Sequence, residues 1–469
     1  MMKNLIWFRN DLRVLDNPAL YNSCISSEQV IAVYFISEGQ WNLHDESLCK
    51  INFWIRNLQI LQEKLDNLNI PLVVIEASFY RDIQREIIKL VEEEKITSVF
   101  FNNEYGFNEL KRDRDIYICL KSRNIEVFHF HDQVIHNPGS LKTLAGQNFK
   151  VYSPFKRSWF KNLSEEQLKI ISIPEKKLRL RLNSTPLKKY LLKYKSHVDP
   201  NFWPAGEDYA CNLVDVFLSN KAKSYKLDRD FPAINGTSKI SPYLNSGVVS
   251  AKWCLNKAKN YNQMKLDEGN SGIVHWVSEI LWREFYRHII YNFPQVSKNK
   301  PFIDKTKNIK WNQNKDHLEK WKTGKTGIPI VDAAMRQLNE TGWMHNRLRM
   351  ITAMFLSKNL LINWQEGEKY FMQNLIDGDI ASNNGGWQWS ASTGTDAAPY
   401  FRIMNPISQS KRFDPDGVFI KKWVRELENC SVKDIHEPNK PDSYGYNKPI
   451  VDLKKTRAFA IEVFKNLKE

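Results

Sequence analysis

Residues 377–400 read Asp-Gly-Asp-Ile-Ala-Ser-Asn-Asn-Gly-Gly-Trp-Gln-Trp-Ser-Ala-Ser-Thr-Gly-Thr-Asp-Ala-Ala-Pro-Tyr. This is a poor design for an ordinary core. Buried polar groups without partners cost about 1–3 kcal/mol each, and this window crowds carboxylates, adjacent amides and hydroxyls together. Asp377 and Asp379 can accept hydrogen bonds, and Asn383 and Asn384 offer donors and acceptors. Gly385 and Gly386 let the backbone approach a flat object closely. Trp387 and Trp389 add broad aromatic faces. A polar loop capping a helix, with the indoles as core, is the plainer alternative. A polar guest that satisfies these groups is the other reading, and composition alone leaves both open.

The chain has 469 residues, enough for two domains with their own cores. Its net charge of +15 points to a polyanionic partner. Nucleic acid is the simplest choice and an anionic membrane surface the second; a general lysine bias would affect solubility alone. Fifteen tryptophans favour stacking or electron transfer over packing alone. The six cysteines form no C-x-x-C pair, so neither a zinc site nor a disulfide framework is indicated. The start is too short for a signal peptide's apolar region, and no apolar run reaches membrane-spanning length. No membrane association and a cytoplasmic location are expected.

Strand-like runs at Leu5–Phe8, Val30–Ile36, Leu72–Ile75, Ile96–Phe101 and Ile125–Phe130 alternate with helical patterns. Trp54, Leu58, Leu61 and Leu65 mark one helix face; Ile83, Ile87 and Val91 mark another. Such alternation predicts an α/β domain, a Rossmann-like doubly wound parallel sheet, over residues 1–130. No G-x-G-x-x-G follows the first strand, so that domain lacks the usual dinucleotide fingerprint. Residues 131–200 are lysine-rich, with Lys176-Lys177-Leu178-Arg179-Leu180-Arg181, and read as a solvated connector with one or two short helices. Residues 201–469 show helical spacing and predict an all-helical domain.

Within that helical domain, Thr237-Ser238-Lys239-Ile240-Ser241 precedes a helix. Its hydroxyls and N–H groups suit an anion, although plain Ser/Thr capping would look the same. From Trp276 to Ile290, Val277, Leu281, Phe285 and Ile289 should face the core. Trp276, Glu279 and Arg283 lie on another face, edged by Trp282 and Tyr286, a set suited to a nucleobase. Gly324-Lys325-Thr326 is not a P-loop, because Glu319 stands where the motif needs glycine. In the helix after Trp343, Leu348, Ile351 and Phe355 mark the buried side, while Asn346, Arg349 and Met350 cluster on one face.

The 377–400 stretch closely resembles the cofactor-binding signature of the DNA photolyase/cryptochrome family. The resemblance runs from Trp7-Phe8-Arg9-Asn10-Asp11-Leu12-Arg13 to Phe413. It implies a helical domain that binds FAD and DNA, with the α/β domain holding a light-harvesting antenna. FAD contacts would fall at Tyr225, Thr237, Ser238, Lys239, Ile240, Ser241, Trp276, Asn346, Arg349, Asp377, Gly378, Asp379 and Asn383. The antenna is expected to be 5,10-methenyltetrahydrofolate, at His44, Asn108, Glu109 and Lys298; a deazaflavin, or no antenna, is the alternative.

The resemblance also implies light-driven repair of pyrimidine dimers in UV-damaged DNA by a monomer. Excited reduced FAD would donate an electron to a flipped-out dimer, with Glu279, as a hydrogen-bonding acid, and Asn383 as catalytic residues. Trp387, Trp364 and Trp311 match the family's reductive chain. DNA contacts would come from Arg229, Glu279, Trp282, Arg283, Tyr286, Asn346, Arg347, Met350, Trp389, Arg402 and Gln409. Enzymes for (6-4) photoproducts typically carry histidines where Asn346 and Met350 stand, so the cyclobutane type is expected. A cryptochrome-type photoreceptor and a (6-4) photolyase are the alternatives.

Overall fold

The computed structural model describes residues 2–467. A five-stranded parallel sheet forms the N-terminal part, in the order β3-β2-β1-β4-β5. The strands are β1 (Lys3–Phe8), β2 (Gln29–Ile36), β3 (Leu72–Glu76), β4 (Ser98–Asn102) and β5 (Glu126–Phe130). Parallel strands need crossovers that lie on the sheet faces, so central strands are apolar on both sides. Accordingly Leu5, Trp7, Ile31 and Val33 pack with Ile83, Ile87 and Val91 of the helix Tyr80–Glu94. Their alternates Ile6, Phe8, Val30 and Ala32 are buried as well. The edge strand β5 is mostly open to solvent, with Val127 as its buried residue.

The chain forms two compact units. The first takes the chain to Ser196 together with Pro200–Lys223 and Ser238–Pro294; the second takes His197–Asp199, Ser224–Thr237 and the chain from Gln295 onward. This division differs from boundaries at 130 and 200, and the cause is hydrogen bonding over long sequence distances. Glu207, opening the helix Glu207–Asn220, accepts from the backbone N–H groups of Val14 and Leu15 at 3.1 and 2.8 Å. Ser250 Oγ donates to Asp16 Oδ2 at 2.5 Å. Glu284, in the helix Ser271–Asn292, accepts from the N–H groups of Ile135 and His136. These bonds hold the helices in the same unit as the sheet.

The basic connector is only partly a solvated face. Lys177 is buried, and its ammonium donates to the carbonyls of Cys24 and Ser27 at 2.9 and 3.3 Å. Burying that charge without such acceptors would be costly.

The second unit is helical. Its core is built from Pro329–Thr341, Asn346–Met354, a π-turn at Phe355–Asn359, Trp364–Asn374 and Ile380–Ala391. Leu348, Ile351 and Phe355 are buried as their spacing predicts. Gly324-Lys325-Thr326 is folded onto its own chain: the N–H and hydroxyl of Thr326 donate to Asp332 Oδ1 at 2.7 and 2.6 Å. Among the described residues no helix is long and apolar enough to cross a membrane.

Candidate active site

In the second unit, most of the 377–400 stretch is the helix Ile380–Ala391. Asp379 caps it, its carboxylate accepting from the N–H and hydroxyl of Ser382 at 3.1 and 2.6 Å. An N-cap carboxylate satisfies an otherwise orphaned donor and opposes the positive end of the helix dipole. Asp377 is buried and takes Arg349 Nη2 on both oxygens, at 3.0 and 2.8 Å, while Arg349 Nε donates to the Met344 carbonyl at 2.8 Å. Asn383 donates its amide N–H to the Glu368 carbonyl at 3.0 Å, which directs the amide oxygen away as an acceptor. Asn384 donates to Glu368 Oε1 at 2.8 Å and is itself fully buried. Beyond its neighbours and the helix's own backbone, a Cβ added at Gly386 would meet nothing within 4 Å.

Trp364 and Trp387 are both buried in the core of this unit, and half-buried Trp311 packs against it. Trp387 lies against Phe371 at 4.9 Å and Trp321 at 5.9 Å between ring centroids. Its indole N–H has no hydrogen-bond partner among the described residues. Trp321 was not singled out by sequence; an isolated buried indole in an amphipathic helix carries no signal beyond packing. Trp389, half-buried, follows Trp387 by two positions on the same helix.

Asn346, Arg347, Arg349 and Met350 open one helix, capped by His345, whose Nδ1 accepts from the Arg347 N–H. Burial depresses the His345 pKa to about 4, so the ring is neutral at neutral pH. Asn346 is exposed. Arg347 pairs with Asp230 at 2.8 Å and lies over the Phe413 ring at 4.6 Å. Arg229 stands 3.6 Å from the same Asp230. Asp230, an ordinary acidic residue in sequence, thus links two arginines expected to meet phosphate. Tyr225 is buried beneath the Arg229 guanidinium. Arg402 is exposed and Gln409 half-buried. Lys298 ends the short turn Val296–Lys298 of this unit, and Thr237 and Gly378 also belong to it. A separate open cavity of about 630 Å³, lined in part by Asn405, Ser408, His436 and Lys454, includes none of the expected site residues.

In the first unit, the Trp276 indole N–H donates to Ser238 Oγ at 3.1 Å, joining two expected cofactor residues. Trp276 is buried against Phe217, so it belongs to the core rather than to an outward face. Lys239 is exposed with a positive φ of 52°, between buried Ser238 and Ile240. The helix that follows, Ser241–Asn245, has only five residues. Its dipole is correspondingly small, so hydroxyls and backbone N–H groups are the donors it offers. Val277, Leu281, Phe285 and Ile289 are buried as expected. Glu279 is half-buried, 3.8 Å from His275 Nε2. Arg283 donates to the carbonyls of Gln133 and Leu244 at 2.7 and 3.1 Å. Trp282 and Tyr286 are half-buried, with centroids 5.7 Å apart.

Elsewhere in that unit, three expected antenna residues come together. His44 Nε2 accepts from Asn108 Nδ2 at 2.9 Å and from Gln40 Nε2 at 2.8 Å, and His44 Nδ1 faces Glu109 at 3.6 Å. Tyr80 joins them, its hydroxyl donating to Glu109 Oε1 at 3.0 Å. Burial raises the Tyr80 pKa, keeping the phenol protonated. Tyr80 carries no signal in sequence, because its contact with Glu109 spans 29 residues.

Two family models match this chain. One, described as DNA photolyase, covers residues 4–175; the other, described as the FAD binding domain of DNA photolyase, covers residues 276–466. The chain is 43% identical to the deoxyribodipyrimidine photo-lyase of Escherichia coli strain K12 over 99% of its own length and 98% of that protein's. The chain belongs to the DNA photolyase family. Its match to the deoxyribodipyrimidine photo-lyase of Vibrio cholerae is 39% identical and covers 99% of both chains. Among solved photolyase structures, a class III enzyme from Agrobacterium tumefaciens superposes with a TM-score of 0.88 at 32% identity, covering 100% of this chain and 98% of that one. A cryptochrome from Synechocystis superposes with a TM-score of 0.87 at 25% identity, covering 99% of both chains. FAD is therefore the cofactor whose binding domain this photolyase chain carries.

Proposed function

We propose that this protein repairs cyclobutane pyrimidine dimers in DNA with light, acting as a deoxyribodipyrimidine photo-lyase. The observation that carries this reading is the 43% identity, across nearly the whole chain, to an enzyme of that name. The lower identity to the Synechocystis cryptochrome, 25%, favours repair over signalling.

The residues present suit FAD. In the second unit, Arg349 pairs with Asp377, Asp379 is held by Ser382, Asn383 presents an acceptor oxygen, and Gly386 leaves room at the helix surface. Asn346, Gly378, Tyr225 and Thr237 would complete that unit's contacts. In the first unit, Ser238, Lys239, Ile240, Ser241 and Trp276 would serve the diphosphate and adenosine end. An acceptor at Asn383 is the polarity needed by the N–H of a reduced flavin ring. When bound, reduced FAD would supply the light-excited electron donor for cleavage of the dimer's two carbon–carbon bonds.

The protein's own part is placement and electrostatics. Glu279 would hydrogen-bond the flipped dimer and stabilise charge developing there. Asn346 and Met350 would line the lesion contact, and Trp282 would stack on the extruded bases; the handling of photolyase substrates by base flipping is a general feature of the class. Arg229, Arg347 and Arg402 would meet phosphates, with Arg283, Tyr286, Trp389 and Gln409 around the lesion and backbone. Trp387, Trp364 and Trp311 would carry electrons inward to oxidised flavin. His44, Asn108 and Glu109, with Tyr80 beside them, would bind a folate antenna. The protein would work as a cytoplasmic monomer.

Two illuminated oligonucleotides test the reading, one with a cyclobutane thymine dimer and one with a (6-4) photoproduct. Restoration of the first alone is expected. Restoration of the (6-4) product alone would replace this reading with the alternative lesion.

A further inference from the structure

Tyr152 lies flat on Trp282. Their ring centroids are 3.6 Å apart and their planes differ by 11°, a close parallel stack. Tyr152 comes from the helix Tyr152–Lys161, in the basic connector, while Trp282 sits on the helix Ser271–Asn292. The tyrosine is fixed at both ends. Its hydroxyl donates to the Ser278 carbonyl at 2.8 Å, one turn before Trp282, and its ring meets Phe285 edge-on at 5.8 Å. Burial raises the phenol pKa, so that donor persists at working pH.

The short helix is fastened along the same face. Lys156 Nζ donates to Ser278 Oγ at 2.6 Å, Phe155 packs on Phe285 at 5.3 Å, and the Trp159 indole N–H donates to Glu284 Oε1 at 2.8 Å. Positions 152, 155, 156 and 159 are one helical stripe. Tyr152 is therefore held by a rigid seam rather than by a mobile loop, and its plane sets the plane of the indole it covers.

We propose that Tyr152 is a positioning residue for lesion binding: it covers one face of Trp282 and locks the indole so that its remaining surface is presented ready to stack on an extruded pyrimidine dimer. The inference rests on the reading of Trp282 as a lesion contact. A side chain ordered before binding loses less freedom on binding, so preorganisation shows as affinity. It also follows that the gain is confined to DNA carrying an extruded lesion. Phosphate contacts, which govern undamaged DNA, are independent of the indole plane.

The test uses the full chain loaded with FAD, in the dark, binding duplexes with and without a single thymine dimer. Tyr152→Ala is expected to weaken dimer-DNA binding by about five- to tenfold, and undamaged DNA by less than about twofold. Tyr152→Phe, which keeps the ring, should bind like the parent. Tyr152→Ala in a Trp282→Ala background should add no further loss. Equal weakening for both DNAs, or unchanged dimer affinity in a folded Tyr152→Ala protein that retains FAD, would overturn the proposal. Should Trp282→Ala itself leave dimer affinity intact, the reading of Trp282 fails instead. Should Tyr152→Ala not fold, Tyr152→Leu read against Tyr152→Phe makes the same comparison.

Discussion

Trp387 is packed directly against Gly367. A Cβ built on that glycine would stand 2.1 Å from the indole Cη2 and 2.5 Å from Cζ3. Gly367 lies in the helix Trp364–Asn374, one turn after Trp364. The glycine thus lets two tryptophans of the expected electron path share one wall. Gly367→Ala must displace the indole, and overpacking a tight core costs about 1–3 kcal/mol. We expect a lower urea midpoint together with slower photoreduction of oxidised flavin. A stable variant with the parent's photoreduction rate would separate Gly367 from the path.

Trp387→Phe keeps an aromatic ring in the same core but removes the indole best able to hold a transient radical. Photoreduction of oxidised flavin should fall about tenfold or more, while repair by chemically pre-reduced protein stays within about twofold. Transient absorption and a dimer-repair assay on the same preparation read the two quantities. Parent-like photoreduction would reject the assignment of Trp387.

Lys358 is buried in the π-turn Phe355–Asn359, with its ammonium 2.9 Å from Ser392 Oγ and 3.4 Å above the Phe464 ring. Burial lowers its pKa from 10.5 to about 7. Between those values the unfolded chain binds more protons than the folded one, so stability rises with pH through that window and the cost is largest below it. Lys358→Met should therefore stabilise the protein at pH 6, by on the order of 2–4 kcal/mol, with the gain shrinking above about pH 7 and lost near pH 10.5. Thermal unfolding of both proteins across that range checks it. A pH-independent difference would show that charge burial is not the cause.

Arg349 holds Asp377 and the Met344 carbonyl at once, through different nitrogens. Arg349→Ala leaves the buried carboxylate without that partner. A loss of about 2–4 kcal/mol is expected, below the range for a fully buried pair because Arg349 is partly exposed. Flavin absorbance per protein should fall as well. Arg349→Lys should recover little of either, since an ammonium lacks the planar fork that serves two acceptors. Full flavin retention in Arg349→Ala would remove this pair from the cofactor contacts.

Periodicity made the architecture legible. Alternating apolar strands and helical stripes, such as Leu348, Ile351 and Phe355, report which face is buried, and hydrophobic burial obeys them. Period alone does not report partners across long sequence distances. Glu284 accepting from Ile135 across 149 positions, and Glu207 from Val14 across 193, could not be read from spacing. These bonds pull the helices Glu207–Asn220 and Ser271–Asn292 into the first unit. The motif residues of 377–400 were legible because so many polar groups in one window need partners. Several of those partners proved to be protein: Glu368 for Asn383 and Asn384, and Ser382 for Asp379. Tyr80 and Tyr152 were missed because a lone tyrosine at the start of a helix looks like ordinary surface.

Light absorbed by a reduced flavin on this chain should break the cyclobutane ring of a DNA dimer. The most direct measurement is the loss of thymine dimers from a defined oligonucleotide, incubated with FAD-loaded, reduced protein under near-ultraviolet or blue light and in darkness. Dimer loss with recovery of two intact thymines is expected in the light, and none in the dark. Equal dimer content in both samples, with flavin bound and reduced throughout, would contradict it.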